Sequence, residues 1–157
     1  MARKWGYAKR GTRLLCHEPH GHWKTTTFVG GLTSKGIIAP MLLDGAMNGD
    51  CFEGYVDQVL SRATKPGDLV ILDNLPSHKT NQVRKAFERH KIRFLFLPPY
   101  SPDQNPIENA FSKLKRLARS NAKRTIEDLW NSFSSMIRAF SKTECWNYIN
   151  HCGYIAV

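Results

Sequence analysis

Residues 68–74 read DLVILDN, an apolar run closed by an acid, and residues 92–97 read IRFLFL. A short continuous apolar run marks a strand buried in the middle of a sheet. Asp73 stands where the first such strand stops. A carboxylate so close to a buried run needs a partner, a hydrogen-bond network or a metal ion. A turn aspartate satisfied by loop amides is the plain alternative. The second run meets LPPYSPDQNPIEN at residues 97–109. Its prolines remove ladder donors, so the strand ends there. Asn105 fits a helix cap and Pro106 the first helical position. Glu108 then falls in the first turn, where the helix dipole favours an acid.

Between Asp73 and Glu108 lie 34 residues, room for one helix and one further strand. A carboxylate at a strand end and one on a later helix can converge on a divalent cation, the arrangement of metal-assisted phosphoryl transfer. The stiff proline turn fixes the helix start, as a metal ligand requires. Asn74 and His78 are candidates to hydrogen-bond the ligands or a phosphate. His78 equally suits a loop histidine packed on the next helix. A third carboxylate should come from upstream, and the chain does not clearly supply one. Asp44 and Asp50 are upstream acids, but they sit in LLDGAMNGD (42–50), a strand-to-helix connection.

Outward from this pair, the pattern alternates. Residues 13–17, 24–32 and 36–43 are rich in apolar and β-branched side chains and predict strands. Pro40 makes the last an edge or bulged strand. Asn48 fits a cap for a helix over about 49–63, with Phe52, Tyr55, Val56, Val59 and Leu60 at helical spacing. A helix over about 79–90 follows the Asp73 strand. Helices are expected from Pro106 to about 119, from a capping box of Thr125 with Asp128 to about 140, and from Thr143. The order β-β-β-α-β-α-β-α-α-α predicts an α/β fold with a mixed sheet flanked by helices.

The length, 157 residues, suits one domain over 1–157 with its own core. Apolar residues make up 41% and charged residues 23%, which excludes a disordered chain. The 23 Lys and Arg outnumber the 13 Asp and Glu for a net charge of +10, a field that favours polyanions such as nucleic acid. Lys113, Lys115, Arg116, Arg119, Lys123 and Arg124 follow Glu108 closely and are candidates for DNA phosphates. A solvated charged face is the plain alternative. The string CHEPHGH (16–22) holds Cys16, His17, His20 and His22. Structural zinc needs two ligand pairs at set spacing, and no second pair is evident, so a turn between strands is the better reading. No apolar stretch approaches the roughly 18 residues of a membrane helix. The basic N-terminus lacks the apolar middle of a signal peptide. The chain therefore reads as cytoplasmic and nucleoid-associated, with no membrane partner.

Three stretches carry a resemblance: VILDNLPSHKT (70–80), FLFLPPYSPDQNPIENAFSKLKRL (94–117) and TECWNYINHCGY (143–154). With WGYAKRGTR (5–13), PHGHWKTTTFVGGL (19–32) and LLDGAMNGDCFEGYVDQVL (42–60), they are similar to the DDE catalytic domain of bacterial insertion-sequence transposases of the mariner-like superfamily. The resemblance implies a ribonuclease H-like fold and a triad of two aspartates and a glutamate on two Mg²⁺ or Mn²⁺ ions. Asp73 matches the second aspartate and Glu108 the glutamate. The implied chemistry is strand nicking by water, then attack of the 3′-hydroxyl on target DNA.

In that family the first aspartate lies on a strand before the stretch resembling residues 5–13. The resemblance thus implies an N-terminally truncated domain, without its first strand and without a helix-turn-helix part. Such a domain is expected to be marginally stable and silent alone. Its implied partners are DNA, the N-terminal half of the transposase or an intact copy, and a second protomer in a dimer. The other expectation is a non-catalytic DNA-binding or assembly fragment.

Overall fold

The computed structural model describes residues 7–13, 25–120 and 126–154. Strands β1 (Thr26–Thr33) and β2 (Gly36–Asp44) form an antiparallel hairpin. Both lie within two residues of the expected bounds. The zinc-like string 16–22 lies outside the described residues, as does the strand expected at 13–17 apart from Arg13.

The expected irregularity at Pro40 is a β-bulge. Val29 pairs with Met41 and Gly31 with Ile38, so Gly30 faces both Ala39 and Pro40. Proline costs no ladder bond at such a place. Ala39 takes the left-handed backbone, φ 48°, and its carbonyl accepts a 2.9 Å hydrogen bond from the buried Tyr55 hydroxyl. The extra residue reverses the in–out alternation of β2. Ile37 therefore joins one hydrophobic cluster, while Ala39 and Met41 join the other.

Helix α1 (Gly49–Tyr55) is capped by Asn48, whose side chain accepts from the Cys51 amide at 2.8 Å. It runs without a break into a π-helical turn (Val56–Leu60) and a last α-helical turn, α2 (Ser61–Ala63). The whole fills the expected 49–63. Its inner face, Phe52, Tyr55, Val56 and Leu60, is buried.

β3 (Leu69–Leu72) and β4 (Arg93–Phe96) pair in parallel, Leu69 with Arg93 through Leu72 with Phe96. The crossover between them is α3 (Asn81–Arg89), capped by Thr80. Val70, Leu72, Phe94 and Phe96 pack with α1 and α3, and Phe87 and Ala86 are wholly buried there. The other face, Leu69, Ile71 and Leu95, is 41–56% exposed.

The expected α/β fold with flanking helices stands, and its strands form small sheets. Among the described residues the strands form two separate two-stranded sheets, β1–β2 and β3–β4. The mixed α/β character holds, but no described segment bridges β1 to β3. The last three helices, α4 (Ile107–Ser120), α5 (Ile126–Arg138) and α6 (Lys142–His151), cover the other side of the hairpin. Ala110, Leu114, Met136, Phe140 and Cys145 are the buried residues of that second cluster. No helix among the described residues is long and apolar enough to cross a membrane.

Candidate active site

Asp73 follows the last residue of β3, at the carboxyl end of the parallel pair, where α/β sheets place their reactive groups. The Leu97 amide donates to the Leu72 carbonyl at 2.8 Å and holds both strand ends level. The Asp73 side chain is 35% exposed. Its Oδ1 accepts from the Leu75 amide at 3.3 Å and lies 2.6 Å from Nδ1 of His78. That ring nitrogen is close but out of line, so it forms no hydrogen bond among the described residues. Burial works to raise the Asp73 carboxyl, but the His78 ring and the Leu75 amide outweigh it and hold the group below its ordinary value. The carboxylate is therefore ionised and restrained at neutral pH. Asn74 beside it is half-buried.

His78 ends the 3-10 turn Pro76–His78. Its ring stacks on Phe52, with centroids 3.9 Å apart and planes tilted by 30°. The packing expected for this histidine is real, but its partner is the preceding helix α1 rather than the following α3. The sequence missed this because Phe52 is 26 residues away and no local pattern links them.

Glu108 falls in the first turn of α4, as expected. The helix starts at Ile107, one residue beyond the predicted first position, because Pro102–Gln104 form a 3-10 turn that the chain must first leave. Glu108 is exposed and lines a cleft with Asp103, Gln104, His151 and Cys152. The Tyr154 hydroxyl donates to the Gln104 carbonyl at 3.0 Å and ties the C-terminal turn to the proline turn. Sequence reasoning assigned no role to His151; only the quoted tail, 143–154, pointed toward it. Burial first, and the charge of Asp103 second, push the Cys152 thiol up, so it stays protonated.

Asp73 is not among the residues lining the Glu108 cleft. No group of three His, Cys, Asp or Glu side chains among the described residues could hold a metal ion. The donors fit Mg²⁺ or Mn²⁺ in kind, being hard carboxylate oxygens, but fall short in number. Asp44 ends β2 and Asp50 lies in the first turn of α1; neither makes up that number.

The basic residues divide. Lys113 corrects its assignment to a phosphate-facing surface. It is half-buried, ion-paired with Glu144, bonded to the Ala139 carbonyl at 2.7 Å, and 4.6 Å from the Phe140 ring centroid. Its ammonium staples α4 to α6 and is not offered to a ligand. Lys115, Arg116 and Arg119 are exposed on α4. Lys123 and Arg124 lie outside the described residues.

Comparison with known proteins meets this geometry from outside. Along 128 residues the chain is 27% identical to the Tc3 transposable-element transposase of Caenorhabditis elegans, covering 70% of this chain and 39% of that protein. The fold is similar to that of the Mos1 transposase in its paired-end complex with the left transposon end. That match has a TM-score of 0.78 at 22% identity over 96% of this chain and 47% of that one. A Mos1 mariner paired-end complex with Mn superimposes with a TM-score of 0.77 at 21% identity and the same coverage. The chain thus spans less than half the length of these relatives. Residues 1–130 match the family described as DDE superfamily endonuclease, and the chain belongs to that family.

Proposed function

We propose that this chain cuts and joins DNA strands as part of a transposase, with Asp73 and Glu108 as two of the acidic ligands of Mg²⁺ or Mn²⁺. The observation that carries the reading is Asp73 itself: an ionised carboxylate, restrained at the carboxyl end of a parallel strand pair, inside the matched stretch of an endonuclease family. The names of the similar proteins, a transposable-element transposase and a transposase bound to a transposon end, support DNA as the substrate. A divalent ion, when bound, supplies a Lewis acid for the phosphodiester. The chain's own part is to hold Asp73 against His78, with His78 stacked on Phe52, and to present Glu108 from a helix whose start is fixed by prolines. Lys115, Arg116 and Arg119 bind DNA phosphates beside Glu108, and the ligand set is completed from outside the described residues.

A second reading, a DNA-binding or assembly fragment without catalysis, is favoured by one observation: the described residues lack a three-ligand cluster. Mn²⁺-dependent nicking of supercoiled plasmid separates the two. Nicking that disappears in both Asp73→Ala and Glu108→Ala supports the first. Binding of the same plasmid with no nicking, alone or after mixing with an acid-bearing N-terminal segment, supports the second. A folded chain that neither binds nor nicks DNA refutes both.

A further inference from the structure

The basic side chains on and around α3 are not all alike. Arg89 is neutralised by Glu53 and Asp57 of the helix at 49–63, at 3.1 and 2.6 Å. On β4, Arg93 is spent on the Gly67 carbonyl at 2.7 Å. Lys79 and Arg84 differ. Both are exposed, and neither has an acidic partner among the described residues. Both are drawn to one ring instead: Lys79 Nζ is 5.8 Å and Arg84 Cζ 5.3 Å from the centroid of Phe96. Phe96 sits edge-on to Phe94, and Phe94 leans on the wholly buried Phe87. The ring is therefore anchored in the core and fixes where the two cations stand. Lys79 is further restrained through its neighbour His78, which stacks on Phe52.

Two uncompensated cations gathered on one ring repel each other, and the ring's quadrupole offsets little of that at an exposed site. An anion placed between them turns the repulsion into attraction. The position gives the anion a context. Phe96 pairs with Leu72, and Asp73 is the next residue, so the cations flank the same strand end as the carboxylate. The residues are exposed and not enclosed, which suits an extended polyanion better than a small molecule. The net charge of +10 agrees.

We infer that Lys79 and Arg84, preset by Phe96, clamp a backbone phosphate of a nucleic-acid strand lying across the Asp73 strand end. This rests on the reading that the chain works on DNA. It adds a second contact, made by Lys79 just before α3 and Arg84 on it, to the basic face of α4.

The test is binding of a labelled DNA duplex by fluorescence anisotropy across a salt series. Four variants are compared with the parent: Lys79→Ala with Arg84→Ala, Phe96→Leu, Lys85→Ala, and Lys115→Ala with Arg116→Ala and Arg119→Ala. Circular dichroism confirms that each is folded. The clamp predicts that the Lys79/Arg84 double variant lowers the slope of log K against log salt by about 0.9, for the one phosphate that the two cations share. Phe96→Leu keeps every charge and weakens binding about two- to fivefold. Lys85→Ala, one residue along but off the ring, changes the affinity less than either.

An unchanged slope in the double variant, with binding still lost in the α4 triple variant, overturns the clamp and leaves the DNA reading standing. Equal losses from Lys85→Ala and from the pair overturn it in favour of diffuse charge. Displacement of the duplex by millimolar inorganic phosphate, dependent on Lys79 and Arg84, overturns it in favour of a small-anion site. A parent chain that binds no DNA removes the functional reading and the clamp with it.

Discussion

Asp73 rides on one hydrophobic cluster and Glu108 on the other, and among the described residues only the β1–β2 hairpin belongs to both. The first cluster joins Leu72, just before Asp73, to α1 and α3; the second joins Ile107, just before Glu108, to α5 and α6. Val29, Ala39 and Met41 face the first, and Phe28, Leu32 and Ile37 the second. The parallel pair differs from the hairpin in kind. The hairpin is covered on both faces, whereas β3–β4 leaves Leu69, Ile71 and Leu95 to solvent. The proline turn fixes where α4 starts, and the hairpin is the packed link between the two clusters that carry the acids.

The largest expected effect breaks the first core. Phe87 is wholly buried between α3 and β4. Phe87→Ala should cost about 3–5 kcal/mol, because a ring leaves and the packed helix and strands close the gap only in part. Urea unfolding followed by far-ultraviolet circular dichroism and by tryptophan fluorescence reads it. With Trp5 and Trp23 replaced by phenylalanine in both chains, the fluorescence comes from Trp130 and Trp146 on α5 and α6 and reports the helices of the second core. If the hairpin couples the cores, both signals shift together to lower urea. A fluorescence midpoint that stays put while the dichroism falls would show two independent halves.

The next effect strikes the hairpin itself. Tyr55→Phe removes the donor to the Ala39 carbonyl in a buried place and should cost about 1–3 kcal/mol. Burial also pushes the Tyr55 phenol far above its ordinary 10, so the loss has no pH dependence below that value. A neutral Tyr55→Phe would mean that the bulge is held by Pro40 and packing alone.

A smaller effect tests the staple of the second core. Burial works to raise the Glu144 carboxyl, but Lys113, Tyr148 and the Ser141 contact outweigh it and hold the group below its ordinary 4.5. A carboxyl depressed in the folded state contributes stability above its unfolded value. That contribution fades as pH falls from about 4.5 through the lower folded value. Glu144→Gln should therefore cost about 1 kcal/mol at neutral pH, a figure discounted for partial exposure, and flatten the acid limb of the stability profile. An acid limb that is the same in both chains would place the acid sensitivity elsewhere.

These differences also explain what the sequence could show. The strands at 68–73 and 92–97 and the helices at 49–63 and 79–90 were legible because each is set by local period, a cap such as Asn48, or a breaker such as Pro98, although the Thr80 cap that starts α3 at Asn81 was not read. The bulge at Pro40 was legible for the same reason, since proline has no amide to pair. What stayed hidden is non-local. Lys113 reads as one of several cations on a basic helix until Glu144, 31 residues on, turns up as its partner. The division of four strands into two sheets depends on which edges meet, and no single strand states that. At the site, Asp73 and Glu108 stood out by position, while the Phe52–His78 stack and the Phe96 ring under Lys79 and Arg84 belong to the packing.

The smallest expected effect is the most pointed, because it decides between the two readings of Asp73 itself. Glu108 is exposed and has no ion-pair partner among the described residues, so Glu108→Gln should alter stability by no more than about 0.5 kcal/mol. Asp73→Asn keeps an oxygen for the Leu75 amide and loses only the charge facing His78. If Asp73 is there for chemistry, that change is also small, below about 1 kcal/mol, because the carboxylate is partly solvated. A turn aspartate kept for structure behaves differently. Losing its charge would free the loop that carries His78, unstack the ring from Phe52, and lower stability by as much as a buried hydrogen bond does. Thermal unfolding of the two variants side by side tells these apart without any activity being measured. Two near-neutral results leave both acids available for chemistry, whereas a loss above about 2 kcal/mol at Asp73 alone would return that residue to the turn.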